Sequence, residues 1–555
     1  MEKRKKAETI EFEFRKLDVA AARREKGDLI GALNVLRNIE DDPVNIEVYA
    51  RIAALYFDME LYELSLEYWF KYLASSDAAR VKAKTYSAIA ACMCMIGDIK
   101  AMGYYVELAS SLGVKGDPEY DKVIMDYYDY YCDCLGPAYY VSYPVEKIPG
   151  KKLMFEADSL LDDHKIEDAI EKLSAISKTD EYYCEARGKM AKCYYMLDRK
   201  DEARSLVEDL IADFPDDAFS CMAYGFMLMD HDETFGSDKG GARYYLKKAS
   251  QGTLFDEEDY FKIAFALCSL GSDEDAFLPL EKAFDINEYY LNAILLYGEL
   301  LYNRGDYVGA ERYFRKFYHL TRNVVGTYFL HLAENKIGGK IKYAFNPPKE
   351  ITDSIAEDLL AIIDGGKTEL KKYTDESVES LIDWSFMFNR ELCNDFITAI
   401  VGFGSTKARN YLIGKLLTND MPGDAKLKLI EELAARDYNK KISFTVETSF
   451  VKFQVLPADF EEPKGELFKK AYAFALARTC AFEKDLTKLR DAAYNLYYEC
   501  RDRGVLKKLN DKCALGCVIA IKSGFTIKDR KIYELFFDTT KKEVKAILDL
   551  LKKEE

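Results

Sequence analysis

The sequence predicts an all-α protein: an α-solenoid, then a helical region with one small β-hairpin, then a C-terminal helical module. Three observations predict it. Helix breakers are scarce, with 12 Pro and 31 Gly among 555 residues, which leaves room for long helices. Small residues recur at Ala169, Ala203, Ala242, Ala276 and Ala310, at spacings of 34, 39, 34 and 34 residues. The composition is ordinary for a globular chain, 49% hydrophobic and 32% charged, so the chain is neither disordered nor fibrous.

The recurrence justifies the solenoid. The segments KIEDAIEKL, RKDEARSLV, GSDEDAFLPL and RGDYVGAERYF each read as a turn, a charged stretch, a small residue and a large apolar residue four positions on. About twelve positions before the small residue, a preceding helical segment carries Ala157, Ala191, Ala264 or Gly298. Two helices approach closely only where side chains are small, so these residues mark the crossing points of helical hairpins. Residues 150–340 hold five such units and, at 323–338, a lone capping helix. Residues 1–116 hold three more, marked by Ala20, Gly27 and Ala32, by Ala53, Tyr56 and Ser65, and by Ala90, Gly97 and Ala109. Between the two arrays, 117–149 is rich in tyrosine and out of register, an irregular insert.

This pattern resembles the tetratricopeptide repeat (TPR), W-x₂-L-G-x₂-Y then A-x₃-F then P. Repeat eight reads Ile294-x₂-Tyr297-Gly298-x₂-Leu301, then Ala310-x₃-Phe314. Repeat five reads Met190-Ala191-x₂-Tyr194, Ala203-x₃-Val207, then Pro215. Repeat six, with five extra residues around DETFGSDKGGARYYLKKASQG, resembles the Sel-like variant with its longer inter-helix loop. The resemblance implies a superhelix whose first helices line a concave groove with their positions 2, 5, 9 and 12. The candidate peptide-binding residues are then Phe219, Met222, Phe226 and Met229 in repeat six. Repeat seven adds Phe261, Phe265 and Cys268, and repeat eight adds Asn292, Leu295, Glu299 and Tyr302. Large apolar residues at nominally exposed positions mark a binding groove. The competing explanation is self-occupation, by tight winding or by the Tyr-rich insert. The Lys and Asn set of the family's carboxylate clamp is missing, which disfavours chaperone tails as ligands.

Past residue 341 the pattern changes. Residues 341–440 read as helices opened by Asn346-Pro347-Pro348. Within them ARNYLIGKLLTNDMPGDAKLKLIEELAAR resembles one HEAT-type hairpin, two antiparallel helices about a Pro-Gly turn. KISFTVETSFVKFQVLP alternates with period two, so 441–463 is a β-hairpin and linker that must pack on a helix. Residues 464–555 hold 21 Lys+Arg against 14 Asp+Glu, a net of +7, which leaves -24 for the rest of a chain whose total is -17. Such asymmetry suggests a different surface task. The five helices expected there resemble the cyclin-box fold of general transcription factor B-type proteins. The closing pair resembles a helix-turn-helix, though its turn, Asp538-Thr539, lacks the usual glycine. A helical cap with solvent-facing lysines is the blander reading.

Chemistry-bearing motifs are few. Thirteen cysteines with no apolar leader after MEKRKKAETIEFEF suggest reduced thiols and a cytoplasmic location. No pair of C-x₂-C knuckles accompanies the four histidines, so no metal and no other cofactor is expected. Gly402-Phe-Gly404-Ser-Thr-Lys407 lacks the spacing of a phosphate loop and reads as a turn between helices. No run is long and apolar enough for a membrane helix.

The function expected is a non-catalytic scaffold that binds a protein or peptide in the groove, without a membrane. The alternative is a regulator in which the repeats sense a peptide while 464–555 contacts nucleic acid or transcription machinery, the one region where such contact is expected. An enzyme in the middle region is the third and least supported reading. Oligomeric state is left open by all three.

Overall fold

The computed structural model describes residues 2–40, 43, 45–124, 149–229, 238–343, 347–436, 438–446, 448–482, 485–529 and 531–551. The chain divides into two compact units, 1–347 and 348–555. Among the described residues no helix is long and apolar enough to cross a membrane.

Among the described residues, eight helical hairpins build most of the first unit. Their helices are Glu2–Arg24 with Leu29–Arg37, Glu47–Asp58 with Tyr62–Ser75, and Ala79–Ile96 with Ile99–Ser111. After the insert come Pro149–Asp162 with Ile166–Ser174, Tyr183–Met196 with Lys200–Asp213, and Ala218–Met229 with Lys239–Gln251. Glu257–Ser269 with Asp273–Ile286 and Leu291–Arg304 with Tyr307–Thr321 complete the set, and Val324–Glu334 follows as a single helix. Most of the expected insert, 125–148, and the extra loop of repeat six, 230–237, lie outside the described residues.

The turns and crossings follow from local chemistry. In repeat eight Gly305 ends the first helix at φ +89°, and the Asp306 carboxylate then accepts the Gly309 N–H to cap the second. Ala157, Ala169, Ala242, Ala264, Ala276 and Ala310 have no exposed surface. A Cβ on Gly298 would lie 2.6 Å from the Phe314 ring, so the glycine and the phenylalanine of the pattern are one packing device. Gly225 does the same in repeat six, where a Cβ would lie 2.8 Å from Leu246. In the third repeat Ala101 is buried at the crossing and Ala109 is only half-buried.

The first unit also closes on itself. The Arg37 guanidinium, from repeat one, donates to the carbonyls of His319 at 2.7 Å and Leu320 at 2.9 Å in the last turn of Tyr307–Thr321. The Tyr56 hydroxyl, from repeat two, accepts from Arg37 and donates to the same Leu320 carbonyl at 2.7 Å. Beyond the capping helix the chain turns back over repeats seven and eight. Tyr302 donates to the Ile337 carbonyl, Asn303 exchanges two 2.8 Å hydrogen bonds with the Ile341 backbone, and Tyr343 donates to Asp273 at 2.6 Å.

In the second unit one apolar core runs from Leu359 to Leu551, through every segment that the sequence divides there. Strands β1 (Lys441–Val446) and β2 (Ser449–Gln454) pair antiparallel with Phe444 opposite Val451. Ile442 and Phe444 turn inward, and Lys426 of helix Gly423–Ala435 donates to Thr445. That helix packs on Arg390–Phe403 and Gly465–Thr479 rather than on Thr406–Gly414, its expected hairpin partner. Thr406–Gly414 has too short an apolar face to hold it, with only Ala408 and Leu412 buried. Gly404 and Ser405 form a plain helix-to-helix turn in which Ser405 caps Thr406–Gly414. Of the five helices expected after residue 464, the fourth is reduced to a π-helical turn, Ile532–Phe536. Asp538 takes the left-handed conformation, φ +46°, in the turn where a glycine was missing, and Arg478 and Arg390 hold its carboxylate at 2.9 and 3.1 Å.

Candidate functional site

The candidate groove residues fall into two groups. Met222, Phe226 and Met229 share one face of Ala218–Met229 and stay half-buried. Phe261 and Phe265 lie one turn apart on Glu257–Ser269 and are also half-buried. All five pack their inner sides on the same core cluster, so they form an apolar row across two adjacent first helices. Phe219 is buried under Phe255, whose ring centroid is 5.0 Å away and which also contacts Tyr182 of repeat five. Cys268 is buried as well.

Repeat eight behaves differently. Leu295, Glu299 and Tyr302 are almost fully buried, and Tyr302 is bonded to the returning segment at Ile337. Asn292 alone of its four positions is exposed. The chain thus covers part of its own groove register at repeat eight, and its returning segment also reaches repeat seven, where Tyr343 packs on the core cluster of Phe261 and Phe265.

Three partly or fully buried acidic side chains near these helices escaped the sequence reading: Asp158, Glu185 and Asp259. Counted from the crossing residues Ala157, Ala191 and Gly225, Asp158 and Glu185 hold the same register positions as Phe226 and Phe219. The groove register applied to repeats four and five gives Lys151, Met154, Asp158 and Leu161, then Glu185, Gly188, Lys192 and Tyr195, so it finds these two acids together with two lysines. Lys189 bridges the pair, 2.9 Å from Asp158 and 3.4 Å from Glu185. Asp259 of repeat seven sits 3.4 Å from Lys262. Burial pushes the Glu185 carboxyl up to about 7, and neighbouring Asp259 and Asp256 oppose the help it receives from Lys189. Burial and Asp256 likewise raise Asp259 to about 6 despite Lys262. Glu185 and Asp259 are thus carboxyls raised chiefly by burial, each with a lysine beside it.

Other chemistry is sparse. The eleven described cysteines are unpaired, and ten of them are buried. Among the described residues no three His, Cys, Asp or Glu side chains gather to hold a metal ion. A cavity of about 350 Å³ lies at the Gly271–Asp275 turn, with Asn303, Arg304 and Lys340 on its wall.

Residues 160–219, from the end of one first helix to the start of the next but one, match the family model of the tetratricopeptide repeat. The chain carries tetratricopeptide repeats. The match spans unit five, the second helix of unit four and the first residues of unit six. No curated protein matches the sequence. Solved structures similar to it include yeast Tom70, at 13% identity over 90% of this chain and 99% of that one, with a TM-score of 0.21. The APC/C hetero-tetramer Cut9-Hcn1 matches at 15% identity over 75% and 83%, with a TM-score of 0.22. Naa15/Naa10 bound to HypK-THB matches at 13% identity over 97% and 88%, with a TM-score of 0.20. At such scores these three carry no argument.

Proposed function

We propose that the chain is a non-catalytic scaffold that binds a polypeptide segment on the concave face of its TPR array. The single observation that carries this is the row Met222, Phe226, Met229, Phe261 and Phe265. These five large apolar side chains are only half-buried although their helices are otherwise well packed. Seating a partner there would remove that surface from water, at about 25 cal/mol per Å². Tandem helical repeats suit the task because stacked neighbours hold the row rigid before the partner arrives. The unpaired cysteines fit a reducing, cytoplasmic setting.

The test is affinity capture of the full chain from its native lysate, with and without nuclease, beside Phe226→Asp/Phe265→Asp. Nuclease-resistant partners that the double variant loses, at unchanged circular dichroism, support the groove. Undiminished capture overturns it. A second reading, nucleic acid on 464–555, is favoured by Lys528, Lys531, Lys541, Lys542 and Lys545, which are exposed. Partners that vanish with nuclease would move this reading to first place.

A further inference from the structure

We propose that residues 337–343 are a built-in ligand, a strap that fills the repeat seven and eight end of the groove until a partner displaces it. The partner then offers what the strap offers: an extended backbone to Asn303 and a tyrosine to Asp273. This rests on the groove reading and adds the shape of the bound segment and what it competes with.

Three observations carry it. First, the strap is held as a bound peptide would be. The Asn303 side-chain amide donates to the Ile341 carbonyl and accepts from the Ile341 N–H, both at 2.8 Å. An amide in such a two-bond ring reads backbone and asks nothing of the side chain on it, provided that the backbone is in no helix or sheet. Residues 337–343 are in neither. Tyr302, the last groove position of repeat eight, donates to the Ile337 carbonyl, and Asp273 of repeat seven accepts from the Tyr343 hydroxyl at 2.6 Å.

Second, burial alternates along the strap. Ile341 and Tyr343 are half-buried and Lys342 between them is exposed, the pattern of an extended chain lying on a surface. Tyr343 packs on the core cluster that also carries Met222, Phe226 and Met229 of the apolar row. The strap site and the row thus share one apolar floor.

Third, the strap is loosely seated. Residues 335–340 are exposed, Ile337 among them at 43%. The cavity of about 350 Å³ at the Gly271–Asp275 turn stays open beside it, with Lys340 on its wall. Gly339, at φ +118°, gives the strap a joint that other residues would strain. A segment on so short a tether acts at an effective concentration of about a millimolar, so a few polar contacts fill the site and a modest advantage in a partner empties it.

The probe is a fluorescein-labelled peptide of the strap itself, residues 336–343. Its anisotropy is followed as the full chain is added up to about 1 mM, the range at which the strap acts in cis. In the wild type the tethered strap competes with it. Ile341→Pro/Tyr343→Ala in the chain removes the N–H that Asn303 accepts and the phenol that Asp273 holds, and should raise peptide affinity at least about tenfold. Asn303→Ala added to that variant should return the peptide to wild-type affinity or below. Tyr343→Phe in the peptide should weaken its binding to the released chain about tenfold, because a hydrogen bond to a carboxylate is lost. None of these changes alters charge, so diffuse attraction between a lysine-rich peptide and an acidic chain cancels in each comparison. Should the proline variant lose circular dichroism, Tyr343→Ala alone serves, with a smaller rise in the same direction.

Equal affinity for the wild-type and released chains, binding to neither, or binding indifferent to Asn303→Ala or to the phenol would overturn the proposal. If Phe226→Asp/Phe265→Asp nonetheless loses its captured partners, the groove reading stands and this inference alone falls. Undiminished capture by that variant would overturn the groove reading and this inference with it.

Discussion

At the scale of single residues, Glu185 shows how a groove position differs from a surface one. It is a carboxylate that the fold has taken out of water, with Lys189 as its cation and Asp256 and Asp259 as its anionic neighbours. Its folded value, about 7, stands above the ordinary 4.3 of a free glutamate. A carboxyl raised by folding contributes stability that is fully present below its unfolded value and is lost as pH rises through the folded one. Wild-type stability should therefore fall between about pH 5 and pH 8 through this group. Glu185→Gln keeps the shape and removes the loss. In thermal melts it should match the wild type at about pH 5 and exceed it by roughly 2 kcal/mol at about pH 8. An equal effect at both pH values, or a loss at the higher one, would show that Lys189 neutralises Glu185 fully.

At the scale of elements, the hairpin crossings were legible because packing imposes a simple rule on sequence. A helix crossing needs a small residue, and Ala169, Ala203, Ala242, Ala276 and Ala310 announce it at a fixed interval. Gly298 and Phe314 make the rule quantitative. A Cβ placed 2.6 Å from the ring forces Phe314 to move in a core where it has no exposed surface. Gly298→Ala should cost about 1–3 kcal/mol through overpacking, partly offset by the roughly 1 kcal/mol that alanine gains over glycine in a helix. The cost should shrink in a Phe314→Leu background, and a double-mutant cycle in chemical denaturation reads that coupling. Additive effects would mean that glycine stands there for another reason. Elements past residue 341 were less legible. The partner of Gly423–Ala435 is set by tertiary packing, since amphipathicity says that a helix is buried but not against what. The π turn Ile532–Phe536 was read as a helix because its apolar spacing suits either. At the candidate groove positions, the burial of Leu295, Glu299 and Tyr302 was not legible from register, and Tyr302 meets Ile337, 35 residues on.

At the scale of the first unit as a whole, closure depends on one cation that no local pattern reveals. Arg37 lies 282 residues from His319 and 283 from Leu320. Its guanidinium is buried, 8% exposed, with main-chain carbonyls and the Tyr56 hydroxyl as its hydrogen-bond acceptors. Those carbonyls end a helix, where the backbone leaves unsatisfied acceptors and the dipole favours positive charge. Arginine suits this place because its planar fork serves several acceptors at once, whereas a lysine ammonium is a single point donor. Arg37→Ala should therefore release repeats one and two from repeat eight without unfolding either. In amide hydrogen exchange, residues 29–37 and 316–321 should lose about tenfold in protection, an opening roughly 1.4 kcal/mol easier, while Gly465–Thr479 in the second unit stays unchanged. Arg37→Lys should restore part of that protection, and Tyr56→Phe should weaken it less than Arg37→Ala, because arginine keeps both carbonyls. Unchanged exchange in Arg37→Ala would mean that apolar contact holds the closure and that the arginine only fills a gap in it.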